Sequence, residues 1–135
     1  MGENVMTVMV VEDEDLLLGA IEKKLEKAGK KVLPCRTAEA AMKALNETEE
    51  LPDIIWLDYY LPDMNGLEFM SKLKENPKWA DIPVVVVSNS ASADKVSQML
   101  ALGVKKYLLK AESRLEDLVG VMDEVGKHDK GGGQN

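Results

Sequence analysis

Four polar stretches punctuate the apolar runs of this 135-residue chain: Glu12-Asp13-Glu14-Asp15, Asp58, Ser88-Asn89-Ser90 and Lys110. Each follows or ends an apolar run, so folding that aligned those runs would gather carboxylates, a hydroxyl and an ammonium group at one edge. Crowded carboxylates repel and need a counter-charge. A hard, oxygen-seeking cation supplies it, and Mg²⁺ takes one or two carboxylates together with waters and phosphate oxygens. Lys110 adds a point charge suited to phosphate, and Ser88 can donate a hydrogen bond to another phosphoryl oxygen. Asp58, alone in the middle of the set, could act as a nucleophile toward phosphorus while the metal, Lys110 and Ser88 stabilise the charge on the transferring group.

The elements that must position these groups alternate from end to end. Strands are expected at residues 5–11, 31–34, 53–58, 82–87 and 105–109. Between and after them run amphipathic stretches. The first, over residues 15–28, carries Leu17, Ile21, Leu25 and Ala28 on one face and stops at Gly29. The second is capped by Thr37 and carries Ala38, Ala41 and Leu45. The third, residues 67–74, ends at Asn76-Pro77. The fourth is capped by Ser92 and closes at Gly103. The last opens with Ser113-Arg114-Leu115-Glu116, a capping-box pattern, and carries Leu115, Leu118, Val119, Met122 and Val125.

Five strands each followed by a helix imply an α/β three-layer sandwich with a parallel sheet. Residues 8–11, 54–57 and 84–87 are apolar without alternation, as strands buried on both faces should be, whereas the other two suit edges. The expected arrangement is a flavodoxin-like (βα)5 fold with strand order 2-1-3-4-5, which places the ligand site beyond the carboxyl ends of the strands, where the winding reverses. One folded unit is expected over residues 1–127, followed by a mobile Gly-rich tail over 128–135.

Composition narrows the classes further. Seventeen basic against 24 acidic residues leave a net charge of −7, which gives no long-range attraction for nucleic acid. No apolar run reaches the roughly 20 residues of a membrane helix. A single cysteine, Cys35, excludes an internal disulfide and a cysteine-rich zinc site, and a cytoplasmic location is expected.

Taken in order, the pieces resemble the receiver domain of bacterial two-component response regulators, over about residues 5–126. Val10-Val11-Glu12-Asp13-Glu14 resembles the acidic motif of the first strand. Asp58-Tyr59-Tyr60-Leu61-Pro62-Asp63-Met64-Asn65-Gly66 resembles the phosphoacceptor loop, Val86-Val87-Ser88-Asn89 the end of strand four, and Tyr107-Leu108-Leu109-Lys110 the strand-five signature. The resemblance implies that Asp58 accepts a phosphoryl group from a phosphohistidine on a sensor histidine kinase or a phosphotransfer protein. It implies that Glu12, Asp13, Asp58 and the backbone carbonyl of Tyr60 hold Mg²⁺, that Ser88 and Lys110 bind phosphoryl oxygens, and that Tyr107 is the aromatic switch. The surface of helix four, strand five and helix five would control a downstream protein or output domain. That makes the chain a signalling switch, of the chemotaxis-regulator type, rather than an enzyme. The cognate kinase and a phosphorylation-dependent homodimer are left open.

Plainer roles are expected for several neighbours. Glu14 and Asp15 serve a helix N-terminus, Glu12 is intermediate because its longer arm could reach a metal through water, Cys35 and Trp56 pack, and His128 has nothing around it to tune it. Three residues depart from the family pattern. Ala111 stands where proline is usual, so a trans Lys110–Ala111 bond and a reshaped loop are expected. Tyr60 is bulky where it borders the phosphoryl site and is expected to hinder the attacking water. Asn89 is expected to slow phosphodonor access. Two other functions remain in view: a phosphatase similar to the haloacid dehalogenase family, with Asp13 as nucleophile, and a receiver-like binding module that works without phosphorylation.

Overall fold

A computed structural model describes residues 5–132. The strands are β1 (Thr7–Val11), β2 (Lys31–Cys35), β3 (Ile54–Leu57), β4 (Val84–Ser88) and β5 (Lys106–Leu109). They alternate with helices α1 (Asp15–Lys27), α2 (Ala38–Glu47), α3 (Gly66–Glu75), α4 (Ala93–Ala101) and α5 (Leu115–Gly132). All pairings are parallel and the order is β2-β1-β3-β4-β5, as the apolar runs predict.

Alternation along each strand divides the core in two, because successive side chains point to opposite faces. Met9, Val11, Ile55, Leu57, Val84 and Val86 face α2, α3 and α4, meeting Ala41, Leu45, Phe69, Leu73 and Met99. Val8, Val10, Ile54, Trp56, Val85 and Val87 face α1 and α5, meeting Ile21, Leu25, Leu118 and Met122. Every residue of β3 and β4 is buried, whereas β2 and β5 keep partly exposed residues, as edge strands should. Each fully buried Val or Ile contributes about 1.5–3 kcal/mol relative to exposure. The three central strands are therefore anchored strongly enough to hold charged groups at their ends. Trp56 belongs to the second core, fully packed, with its indole N–H lacking a hydrogen-bond partner. Cys35 is buried, which pushes its thiol up to about 11.

Local signals set most helix ends. Thr37 and Ser92 accept hydrogen bonds from the amides of Ala40 and Lys95, and Gly29 and Gly103 take positive φ values of 85° and 102° after α1 and α4. The capping box, however, sits elsewhere than expected. Asn65 Oδ1 accepts from the Glu68 amide at 3.0 Å while Glu68 Oε1 accepts from the Asn65 amide at 3.1 Å, at the start of α3. Ser113 instead closes a single 3-10 turn, Lys110–Glu112, that joins β5 to α5, and Arg114 precedes the first residue of α5. No cis peptide bond occurs among the described residues, so Lys110–Ala111 is trans as expected.

At the other end α5 continues through Gly132, past the boundary expected at residue 127. Once nucleated, a helix extends at the cost of one residue's order per added hydrogen bond, so a polar, glycine-bearing segment can continue it. Residues 133–135 of the expected tail lie outside the described residues, as does the side chain of His128. No described helix is long and apolar enough to cross a membrane.

Because Asn65 supplies half of the α3 capping box and pairs with Tyr60 in an isolated bridge, Asn65→Ala should destabilise the fold by about 1 kcal/mol, read as a lower urea midpoint at unchanged slope.

Candidate functional site

The carboxyl ends of β1, β3 and β4 and the start of the turn after β5 meet at one edge of the sheet. The Asp58 amide donates to Val11 O at 3.0 Å and the Glu12 amide to Cys35 O at 2.9 Å, so the sheet ladder itself carries both residues into place. Glu12 is 1% and Asp58 6% exposed, and Asp13 lies open to solvent. Glu12, Asp13 and Asp58 each present a carboxylate oxygen within 4.8 Å of the others. Glu12 Oε2 accepts from the Glu14 amide at 3.0 Å, and Asp58 Oδ1 from the Tyr60 amide at 3.3 Å.

Lys110 holds this cluster together. Its ammonium donates to Glu12 Oε1 at 2.9 Å and lies 3.4 Å from Asp58 Oδ2. Burial by itself would lower the lysine's pKa. The hydrogen bond to Glu12 and the charges of Asp58 and Glu12 outweigh burial and hold it above the usual range. The balance at Asp58 runs the other way. Burial, and then the charge of Glu12, push its carboxyl up to about 6, even though Lys110 and the Tyr60 amide oppose them. One ammonium does not neutralise three carboxylates, and these three could together hold a hard cation.

The remaining predicted residues surround this centre. Ser88, the last residue of β4, is fully buried, with its Oγ accepting from the Ser90 amide at 3.4 Å. Tyr107 is partly buried and its hydroxyl donates to Ser90 O at 2.7 Å. Its ring centre is 6.4 Å from that of Tyr59. Asn89 is exposed. Asp15 leaves the cluster and pairs with Arg36, in keeping with its expected place at a helix start.

The contacts of three neighbours escaped the sequence reading. Asp63 turns back from the β3–α3 loop to accept from the amides of Ala38 and Glu39 at 3.0 and 2.9 Å, capping α2. Gly66 leaves room for Tyr59: a Cβ there would lie 2.8 Å from Tyr59 Cδ2 and 2.9 Å from Met99 Cε. Lys95, in the first turn of α4, hydrogen-bonds the Tyr60 hydroxyl. The one available signal for Lys95 was its position three residues after the Ser92 cap, where a cation opposes the helix dipole.

The raised pKa of Asp58 makes its charge a liability for the metal-free fold. Since the folded value, about 6, exceeds the ordinary 3.8, the folded state holds the proton more tightly. This contribution to stability is therefore present below the unfolded pKa and lost as pH rises through the folded one. Asp58→Asn should remove the loss. Its stability advantage over the parent should grow between about pH 4 and pH 6, then level at about 1–3 kcal/mol, measured by urea unfolding in chelator.

Comparisons with known proteins bear on the family and the fold. The family model for the response regulator receiver domain matches residues 8–122. The chemotaxis protein CheY homolog of Campylobacter jejuni is 29% identical over 122 residues, which cover 85% of this chain and 93% of the relative. A CheY-like receiver domain protein from Methanospirillum hungatei superposes with a TM-score of 0.83 at 22% identity, covering 94% of this chain and 98% of that one, a likeness of fold. The phosphorylated cyanobacterial phytochrome response regulator RcpA superposes with a TM-score of 0.78 at 26% identity, covering 95% and 96%. With the family model spanning most of the sequence and the fold matched nearly end to end, the chain belongs to the response regulator receiver domains of two-component signalling.

Proposed function

We propose that Asp58 accepts a phosphoryl group from a phosphohistidine on a sensor histidine kinase or phosphotransfer protein, and that the resulting acyl phosphate switches the surface formed by α4, β5 and α5. The observation that carries this reading is the Lys110 ammonium in contact with both Glu12 and Asp58. It brings a fixed positive charge to two buried carboxylates, of which Asp58 lies at the end of β3 in the middle of the acidic cluster.

In the transfer an Asp58 carboxylate oxygen forms a bond to phosphorus as the phosphorus–nitrogen bond of the donor breaks. The electron pair leaves with the imidazole, which takes up a proton. Lys110 follows the negative charge from the carboxylates to the phosphoryl oxygens, and the Ser88 hydroxyl can turn from the Ser90 amide to donate to another of them. The donor set around Asp58 is all oxygen and over-supplied with negative charge, which fits Mg²⁺. Glu12, Asp13, Asp58 and the Tyr60 carbonyl would hold it, Glu12 directly or through water, and it would supply further positive charge against the phosphoryl oxygens. As Ser88 moves, the Ser90 carbonyl that anchors the Tyr107 hydroxyl moves with it, giving Tyr107 a reason to change position.

Relatives of the same family name include the phosphorylated form of RcpA, in line with this reading. A phosphatase working through Asp13 finds no comparable support, because the partners of the Lys110 ammonium are Glu12 and Asp58 and Asp13 is exposed.

Mass spectrometry after incubation with acetyl phosphate and Mg²⁺ should find one phosphoryl group per chain, absent in Asp58→Asn. Lys110→Met should slow its appearance by roughly 10²-fold. Sustained hydrolysis of a phosphate ester, lost in Asp13→Asn but kept in Asp58→Asn, would overturn the assignment in favour of the phosphatase.

A further inference from the structure

Outside the carboxylate cluster a single lysine ties together the two loops that flank it. The Lys95 ammonium hydrogen-bonds the Tyr60 hydroxyl and lies 3.4 Å from Ser90 Oγ. It also stands over two rings, 4.7 Å from the centre of Tyr59 and 4.5 Å from that of Tyr60. The two rings meet edge to face with centres 4.8 Å apart. Tyr60 connects inward, its amide donating to Asp58 Oδ1 at 3.3 Å. Ser90 connects inward as well, its amide donating to Ser88 Oγ at 3.4 Å, while its carbonyl accepts from Tyr107. Lys95 thus closes a circuit of polar contacts that leaves the site at Asp58 and re-enters it at Ser88.

Helix stability does not account for a lysine at this position. The Lys95 amide is the one that the Ser92 hydroxyl caps, so the side chain belongs to the first turn of α4, where the dipole disfavours a cation. The Tyr59 face and the Tyr60 hydroxyl offset that cost. The Tyr60 side chain, 52% exposed, would otherwise be free to change rotamer.

We propose that Lys95 is a positioning residue that clasps Tyr60 to Ser90 across the entrance to Asp58 and so restricts the approach of water and small phosphodonors. The proposal rests on Asp58 being the acceptor. Water that hydrolyses the acyl phosphate and a donor that loads it must both enter from solvent beside the residues that follow Asp58 and Ser88. Clasped, that entrance is narrow and the phosphoryl group long-lived; unclasped, Tyr60 swings out and both rates rise.

The test uses the full chain with Mg²⁺. Asp58 is loaded with phosphoramidate or the bulkier acetyl phosphate, the donor is removed, and intact mass follows the decay. Lys95→Met retains length and apolar contact with the rings but loses the ammonium, and Tyr60→Phe retains the ring but loses the hydroxyl. Both should decay about three- to tenfold faster than the parent and load faster, with Lys95→Arg closer to the parent. A readout that a purely structural role would not move is donor selectivity. Opening the entrance should speed loading by acetyl phosphate more than loading by phosphoramidate. Decay within about twofold of the parent in both Lys95→Met and Tyr60→Phe, with the parent loading normally, overturns the clasp. Slower loading of Lys95→Met also overturns it, since Lys95 would then attract donors instead of restricting them. A parent that takes up no phosphoryl group fails at the acceptor assignment instead, and the clasp falls with it.

Discussion

Everything at the functional edge depends on one ammonium group placed between two buried carboxylates. Glu12 and Asp58 are forced together by the register of β1 and β3, because each follows the last residue of a strand whose interior is wholly apolar. Their repulsion is opposed by Lys110, delivered from the far side of the site at the start of the turn after β5. Lys110 does not cancel the whole penalty: burial first, and then the charge of Glu12, still raise the pKa of Asp58. That incompleteness is useful. A fully neutralised cluster would offer a cation nothing, whereas three carboxylates beside one ammonium leave negative charge that a cation could offset.

Much of this was legible in the residues themselves. Unbroken apolar runs at 8–11, 54–57 and 84–87 mark central strands covered on both faces, and the more polar runs at 31–34 and 105–109 suit the edges. Because ligands in such sheets bind past the carboxyl ends, the polar residues that follow or end the strands, Glu12, Asp13, Asp58, Ser88 and Lys110, could be grouped before any coordinates. What stayed hidden depends on side chains meeting across long separations in sequence. Asp63 reaching α2, and Lys95 reaching Tyr60, leave no local period or spacing to read.

Capping shows the same limit in miniature. Ser113-Arg114-Leu115-Glu116 has the residue types of a capping box, yet the 3-10 turn after Lys110 draws Ser113 into its own end. Asn65 and Glu68 form the box instead, the last residue of a loop closed by the Tyr60–Asn65 bridge and the third residue of α3. Residue types nominate a cap; the route by which the chain enters the helix decides it. At the far end of α5, polar and glycine residues announce a stop, but a helix already packed along its apolar stripe has a cheap way to continue.

The Asp63 carboxylate has a consequence for how the chain assembles. Two of the first amides of α2 find their acceptor 25 and 24 residues downstream, in the loop that follows β3, the strand paired with β1. Thr37 alone tends the remaining Ala40 amide locally. The start of α2 is therefore consolidated late, after a non-local strand pairing whose loop-closure entropy must first be overcome. During synthesis or refolding, a chain that ends before Asp63 leaves that helix frayed at its beginning.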